Sequence, residues 1–175
     1  TPGFTAGQTF EKMGLRTSPI GEMVFDDCYV SATAVVGHVG AGSGHFTEAM
    51  DWERICLFAC HVGFLEKILE RTIRYARTRK QFGQSIGKFQ AVAHPIVDMK
   101  VQLEAARLLV YKAAWRLGRE KYVAMDASIA KLFTSEALKS GALAALQVFG
   151  GYGFMAEYEM ERAVRDAVGS TLYSG

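Results

Sequence analysis

Apolar side chains recur at three- and four-residue steps along most of this chain, a pattern that predicts amphipathic helices with one face in a core. The spacing predicts helices over residues 46–79, 89–117, 125–149 and 157–168. Short connections that contain glycine join these helices, which favours antiparallel neighbours. The sequence therefore predicts a mainly α fold built as an up-down four-helix bundle.

The same spacing assigns the core positions of the three long helices. Pro95, near the start of the second helix, has no backbone N–H, so we expect it in the first turn or at a local kink. The predicted core positions are Ile55, Phe58, Val62, Leu65, Leu69 and Ile73, then Phe89, Val92, Ile96, Met99, Leu103, Ala106, Val110 and Ala113, and then Ala130, Phe133, Ala137, Leu138, Leu143 and Leu146.

The first 45 residues differ from the rest because they are rich in Gly, Thr and Val. Residues 22–25 and 28–30 have the composition of short strands. Glycines cluster over residues 37–44, which marks the best boundary between two parts of the chain. We therefore expect strands and loops in residues 1–45 and the helical bundle in residues 46–175.

Composition narrows the classes of function. Half of the 175 residues are hydrophobic, which is enough for a well-packed core. The 20 Lys and Arg nearly balance the 18 Asp and Glu, so we expect no general affinity for nucleic acid or anionic lipid. The three cysteines are odd in number, and Cys56 and Cys60 fall in an apolar helical stretch. We expect free thiols in the core rather than disulfides.

The chain has neither an apolar run of about 18 residues nor a secretory signal. We therefore expect no membrane segment and a cytoplasmic location, or the mitochondrial matrix in a eukaryote. The first residue is Thr1 rather than methionine, which suggests that the chain is a piece of a longer protein.

A basic segment at residues 77–90, RTRKQFGQSIGKFQ, has two interpretations. Basic side chains stabilise the negative end of a helix dipole, and Gly83 would end that helix. Alternatively, a guanidinium binds a pyrophosphate through its planar fork of donors, while a neighbouring aromatic covers a ring system. The residues alone leave both interpretations open.

A glycine-rich segment at residues 147–154, QVFGGYGF, ends the third predicted helix. Glycines also let a nucleotide lie directly against backbone amides, with Gln147 placed to donate or accept a hydrogen bond. This glycine-rich segment is not the dinucleotide-binding fingerprint, because no strand precedes it. A third segment, residues 161–167, ERAVRDA, has the spacing of i, i+4 ion pairs on a solvated helix.

Taken together, these segments resemble the acyl-CoA dehydrogenase family in their order and spacing. The resemblance extends to the opening residues, which are similar to the end of that family's middle β domain. It implies that residues 1–45 are the end of that domain and a linker, and that residues 46–175 are the C-terminal helical domain. The matching segments are residues 1–4, 12–16, 24–30, 79–90, 147–153 and 161–167.

The resemblance also implies a cofactor, FAD, and a homodimer or homotetramer, because in this family a neighbouring subunit presents the residues that hold the adenosine diphosphate half. Asp51 and Arg54 match positions that contact the pantetheine of the acyl thioester. Tyr173 matches the position where the chain passes the flavin and the substrate. The residues implied to bind FAD are Arg79, Phe82, Gln90, Gln147, Gly150 and Gly151.

The catalytic base departs from the commonest family pattern. In most members a glutamate follows the tyrosine that matches Tyr173, whereas this chain has Ser174, whose hydroxyl is no base near neutral pH. Glu53 matches the base of the branch typified by isovaleryl-CoA dehydrogenase, so the resemblance implies Glu53 as the base and little role for Ser174. On its residues alone, Glu53 is better interpreted as an ordinary glutamate in the N-terminal turn of a helix, where the dipole favours it.

The leading interpretation is an FAD-dependent dehydrogenase that desaturates an acyl group carried by coenzyme A or by an acyl-carrier protein and passes electrons to an electron-transfer flavoprotein or a similar acceptor. One alternative is a flavoprotein of this family with changed chemistry, an oxidase or a carbanion-trapping enzyme. Another is a helical bundle without enzymatic activity. A di-iron bundle is excluded by the sequence, because no glutamate stands three residues before His38, His45, His61 or His94.

Overall fold

A computed structural model describes residues 1–120 and 122–175. Two strands form an antiparallel hairpin at the start, and four α-helices make up most of the remainder. The elements are β1 (Phe4–Phe10), β2 (Ile20–Phe25), α1 (Gly42–Thr78), β3 (Lys80–Gln81), β4 (Gln84–Ser85), α2 (Gln90–Leu117), α3 (Ala124–Phe149) and α4 (Met160–Gly169). The predicted mainly α fold with four helices is confirmed.

The three long helices pack against one another, and α4 packs mainly against α3. Large side chains from each long helix meet in one core, where Phe58 of α1, Leu103 of α2 and Leu138 of α3 are at most 1% exposed. Burying such side chains contributes about 1.5 to 3 kcal/mol each. The predicted core positions of α1 from Ile55 to Leu69 and of α2 from Met99 to Ala113 belong to this core.

Small residues on the inner face of α3 let the helices approach closely. Ala130, Ala142 and Ala145 are fully buried, and a Cβ at Gly141 would lie only 2.5 Å from Leu65 Cδ1. A larger side chain there would require the buried Leu65 side chain to shift within the packed core.

Two predicted core residues of α3 lie on the outside of the bundle. Phe133 is 36% exposed and Leu143 is 48% exposed. The prediction that they belong to the core is wrong because α3 is apolar on two sides, and its alanines, rather than its larger side chains, face α1 and α2. The cysteine prediction is also half wrong: all three thiols are free, but Cys56 and Cys60 are exposed.

A stripe of exposed apolar residues also runs along the outside of α2, opposite its core face. Its members recur at helical spacing, so they lie above one another over about five turns. We call Val97, Val101, Leu108, Tyr111 and Trp115, which are 57% to 68% exposed, the outer stripe of α2.

Pro95 lies in the second turn of α2, and the helix continues through it. Of the two predicted alternatives, the first-turn position is therefore wrong, and the local kink stays a prediction. Among the helices of the described residues, none is long and apolar enough to cross a membrane.

The hairpin differs from the sequence-based expectation. The strand predicted at residues 22–25 lies within β2, but residues 28–30 form no strand, and the partner of β2 is β1, which the sequence analysis missed. In β1, FTAGQTF, only the end residues Phe4 and Phe10 are large and apolar, so the sequence gives little of the apolar and polar alternation that signals a strand. The boundary between domains at residue 45 stays a prediction.

Candidate functional site

Residues from the hairpin loop, α1 and the C-terminus surround a depression of about 470 Å³, called the Glu53 pocket. Its wall is mostly apolar, and Glu53 supplies the one carboxylate among the described residues that line it. The lining residues are Lys12, Leu15, Ser18, Ile20, Glu53, Leu57, Cys60, His61, Phe64 and Tyr173. A concave apolar site with a few polar groups is the usual form of a small-molecule site.

Glu53 is fixed by the C-terminal residues of the chain. The Ser174 hydroxyl donates a hydrogen bond to Glu53 Oε1 over 2.7 Å. Arg54 in turn donates from Nε to the Ser174 carbonyl oxygen over 2.9 Å, which holds Ser174 in place. Glu53 is the twelfth residue of α1, three turns from its start, so the helix dipole does not explain a glutamate at this position.

Tyr173 and His61 form a second polar pair in the same pocket. His61 Nε2 lies 2.5 Å from the Tyr173 hydroxyl, and His61 Nδ1 lies 2.8 Å from the Leu57 carbonyl oxygen. Burial lowers the pKa of His61 below its ordinary value of 6.5. Burial, together with the negative charge of Asp166, raises the pKa of Tyr173 to about 12. Both side chains are therefore neutral at neutral pH.

The loop of the hairpin is attached to α4, and this attachment completes the pocket. Asp166 accepts a hydrogen bond from the Leu15 backbone N–H over 2.6 Å, and Arg165 donates to the Met13 carbonyl oxygen over 2.8 Å. A Cβ at Gly14 would lie 2.4 Å from the Arg165 carbonyl oxygen, so only glycine fits this approach. The acidic and basic residues of α4, which the sequence suggested as a solvated face, thus also hold the loop that carries Lys12.

A second depression, of about 700 Å³, lies where α1 and α3 end, and we call it the Arg79 pocket. Arg79 lies over the ring of Tyr152, with 5.2 Å from its guanidinium carbon to the ring centroid. Phe82 is 92% exposed and meets Phe89 edge to face. The lining residues are Tyr75, Arg79, Gln81, Phe82, Ile86, Phe89, Val92, Val148, Phe149, Gly150, Gly151, Tyr152 and Met155.

The glycines of the Arg79 pocket leave backbone open to a ligand. Gly150 has φ +59° and ψ −139°, a conformation that side chains disfavour. Gly151 has no such requirement, and a Cβ there would meet no atom within 4 Å. Packing of the described residues therefore does not explain why position 151 is glycine. A nucleotide or phosphate lying against its backbone would explain it.

Most, but not all, of the predicted site residues lie in these two pockets. Gln90 and Gln147 are exposed beside the Arg79 pocket and are not among its lining residues. Asp51 and Arg54 lie outside the lining of the Glu53 pocket, although they border it on α1. Asp51 Oδ1 is buried without a hydrogen-bond partner among the described residues and lies 3.9 Å from an Arg54 nitrogen.

Sequence reasoning missed three residues with direct contacts in the pockets. Tyr152 lies beneath Arg79, and its place within the glycine run was the available signal. Ser174 was expected to have little role but donates to Glu53. His61 sits on α1 eight residues after Glu53 and had no motif around it, so only the fold brings it to Tyr173.

Comparisons with known proteins agree with this architecture. An L-prolyl-(peptidyl-carrier protein) dehydrogenase from Pseudomonas fluorescens is 40% identical over 99% of this chain and 46% of its own length. Among solved structures, the prolyl acyl carrier protein oxidase AnaB is 43% identical with a TM-score of 0.97 over 100% of this chain and 46% of that one. PigA, solved with FAD and proline, is 37% identical with a TM-score of 0.97 over the same shares of the two chains.

The chain thus spans about half the length of the relatives that it matches. A family model described as the C-terminal domain of acyl-CoA dehydrogenase matches residues 40–175, which include all four helices. The chain belongs to the acyl-CoA dehydrogenase family.

Proposed function

We propose that this chain is the C-terminal part of an FAD-dependent acyl-thioester dehydrogenase in which Glu53 is the catalytic base. The observation that carries the proposal is the position of Glu53 in a mostly apolar pocket, where Ser174 holds its carboxylate beside Tyr173. A general base needs a carboxylate within hydrogen-bond reach of the carbon acid. Glu53 is exposed in this chain, and an acyl group bound against the apolar wall would displace water from it.

The reaction is an α,β-desaturation of the acyl group. Glu53 takes the proton from the carbon next to the thioester carbonyl, and the β carbon loses a hydride as the double bond forms. Bound FAD supplies the hydride acceptor. In this scheme Arg54 keeps Ser174 against Glu53, while Asp51 and Arg54 border the path of the pantetheine arm.

The Arg79 pocket fits the adenosine diphosphate half of FAD. Arg79 offers donors to a pyrophosphate, Phe82 and Tyr152 offer exposed aromatic surface, and Gly150 and Gly151 offer open backbone. Gln90 and Gln147 are exposed and are the sequence neighbours of the lining residues Phe89 and Val148, so a nucleotide that extends beyond the pocket would meet them. We propose all six predicted residues as FAD contacts on this basis.

The two pockets imply that the site is shared between copies of the chain. Glu53 and Arg79 are 26 residues apart along α1, a length of about 39 Å at 1.5 Å per residue. That separation exceeds the length of an extended FAD molecule. One FAD that contacts Arg79 of one subunit therefore reaches the Glu53 pocket of another, which requires a homodimer or a homotetramer.

The acyl carrier that we favour is a carrier protein rather than coenzyme A. Two of the proteins compared above are named for prolyl groups on a carrier protein, and the third was solved with proline. We place residues 1–45 at the end of a middle β domain and residues 46–175 in the C-terminal helical domain.

The test is the absorption spectrum of the full-length protein under anaerobic conditions. We expect bound flavin that is bleached by a prolyl thioester on a carrier protein, and less by the same acyl group on coenzyme A. A purified protein without flavin, or flavin that no acyl thioester bleaches, would overturn the proposal.

A second candidate function is oxidation with molecular oxygen as the electron acceptor. It is favoured by one observation, the name oxidase borne by AnaB, which is 43% identical to this chain. Admitting air to the reduced enzyme separates the two. Rapid reoxidation with release of hydrogen peroxide indicates an oxidase, whereas slow reoxidation that an electron-transfer flavoprotein accelerates indicates a dehydrogenase.

A further inference from the structure

The hydrogen bonds of His61 fix the direction of its bond to Tyr173. The Leu57 carbonyl oxygen can only accept, so the His61 nitrogen beside it, Nδ1, carries a proton and donates. A neutral imidazole has one N–H, and burial keeps this ring neutral. His61 Nε2 is therefore an acceptor, and the Tyr173 hydroxyl donates to it.

Because the Tyr173 hydroxyl donates its hydrogen to His61, its oxygen can only accept a hydrogen bond from a ligand in the pocket. The raised pKa of Tyr173 keeps that hydrogen in place over the working range of pH. Tyr173 thus cannot donate to a thioester carbonyl while this bond exists. Only a ligand group that carries an N–H or an O–H can form a hydrogen bond with the Tyr173 oxygen.

Among the other polar groups of the pocket, hydrogen-bond acceptors also outnumber free donors. The Glu53 carboxylate accepts, with one oxygen already bonded to Ser174. The Lys12 ammonium, the cation in the lining, donates to the backbone carbonyl oxygens of Leu15 and Ser18. The Ser18 hydroxyl can donate or accept. The pocket therefore contains more acceptors than free donors, in an otherwise apolar wall.

We propose that His61 and Tyr173 form a specificity pair. The pair selects acyl groups with an N–H bonded to the α carbon, such as a cyclic amino acyl group, over carbocyclic groups of the same shape. Tyr173 contacts the N–H, and His61 acts as a positioning residue that orients the Tyr173 hydroxyl. The proposal rests on the proposed function, since it assumes that the acyl group occupies the Glu53 pocket.

An acyl group without the N–H would leave a buried acceptor unpaired, and sites built for a hydrogen bond reject such analogues strongly. A protonated ring nitrogen would strengthen the contact further, because hydrogen bonds to charged groups are the stronger ones. We expect one such contact to change selectivity by about 10- to 100-fold.

The experiment compares two acyl groups on the same carrier protein, prolyl and cyclopentanecarbonyl. Their rings differ at one position, which is N–H in prolyl and CH₂ in cyclopentanecarbonyl. The rate of flavin reduction at low substrate concentration is measured for each in the full-length holoenzyme, and the ratio of the two rates is the readout. We expect wild type to favour prolyl, and Tyr173→Phe to lower the ratio by about 10- to 100-fold. A substitution that slows flavin reduction by both thioesters equally leaves this ratio unchanged.

His61→Leu tests the positioning role through a double-mutant cycle. Alone it should lower the ratio, but less than Tyr173→Phe, because the hydroxyl remains and loses only its orientation. In the Tyr173→Phe background it should have no further effect on the ratio. Tyr29→Phe, at an 82% exposed tyrosine outside both pockets, is the control and should change neither rate.

The outcomes test the proposed function and the specificity pair separately. Flavin that neither thioester reduces would overturn the proposed function and the specificity pair together. Reduction by both thioesters with a ratio that Tyr173→Phe leaves unchanged, or a wild type that favours cyclopentanecarbonyl, would overturn the specificity pair alone. A ratio lowered additively by His61→Leu and Tyr173→Phe would overturn the positioning role of His61.

Discussion

At the residue scale, the contact between Ser174 and Glu53 decides how the Glu53 carboxylate is held. Ser174 has φ +61°, a left-handed conformation that a non-glycine residue adopts at some cost. It is nevertheless buried and bonded at both its hydroxyl and its carbonyl oxygen. A strained residue with two specific contacts is one that the surrounding structure holds in place.

We predict that Ser174→Gly slows flavin reduction by about tenfold, because the Glu53 carboxylate loses the hydrogen bond that holds its position in the pocket. Glycine suits the left-handed backbone, so the variant removes the hydroxyl without adding strain. Stopped-flow reduction of the full-length variant by an acyl thioester measures the effect. A rate equal to that of wild type would mean that the bond has no part in catalysis.

His61 predicts a pH dependence of stability. Its pKa is lowered in the folded protein, so below about pH 6.5 the unfolded chain binds a proton that the folded chain does not. The stability is fully present above that pH and is lost as the pH falls. We expect the melting temperature of wild type to drop more between about pH 7.5 and pH 5.5 than that of His61→Gln. Equal drops would show that His61 does not titrate with unfolding.

The sequence could indicate Glu53 because its neighbours carry a family pattern, and it could indicate Arg79 for the same reason. It could not indicate the contacts of Ser174 or His61. Those residues meet Glu53 and Tyr173 across 121 and 112 positions of the chain, and nothing in the local sequence encodes such a contact.

At the scale of elements, helix positions were well predicted and the hairpin was not. The ends of α2 and α3 fall within about one residue of the predicted limits, because long periodic stretches bounded by glycine are the clearest signal in a sequence. The start of α1 was missed by four residues, since glycines at its first turn suggested a loop. In the hairpin, β1 was missed because its interior residues are small or polar, whereas residues 22–25 of β2 were recognised.

The glycine run after α3 allows a matched pair of substitutions. Gly151→Ala should leave the free energy of unfolding within about 0.5 kcal/mol of wild type, because a Cβ there meets open space. It should weaken FAD binding about tenfold, because the methyl group separates the nucleotide from the backbone. Denaturant unfolding and flavin content after dilution of the full-length protein measure the two effects.

Gly153→Ala is the counterpart, since a Cβ there would lie 2.6 Å from the Leu146 carbonyl oxygen. It should destabilise the protein by about 1 to 3 kcal/mol. Unchanged flavin retention in Gly151→Ala would argue that this glycine only ends α3.

At the scale of the whole molecule, the outer stripe of α2 predicts a contact with another surface. Its five apolar residues lie opposite the core face of the helix, and exposed apolar surface of this kind is typical of an interface, either with another copy or with the remainder of the full-length chain. Scattered apolar residues on a surface are common, but five large ones on one face of a helix, interrupted only by Glu104, are not.

We predict that Leu108→Glu converts the full-length protein to a smaller assembly, as measured by light scattering after gel filtration. Burying a carboxylate against an apolar partner is costly, so the interface should open. Ala114→Glu, on an exposed position about 100° around α2 from the stripe, is the control and should leave the mass unchanged. An unchanged mass for Leu108→Glu would show that this stripe is not the interface.

The most direct test of the account is Glu53→Gln in the full-length protein, followed by stopped-flow reduction of the flavin by a prolyl thioester without oxygen. Glutamine keeps the shape of the side chain and removes the base, so FAD content should be normal while reduction slows by about 10²- to 10⁴-fold. Glu48→Gln, at an exposed glutamate one turn earlier on α1, should reduce at the wild-type rate. Reduction of Glu53→Gln within about tenfold of wild type would contradict the assignment of Glu53 as the base.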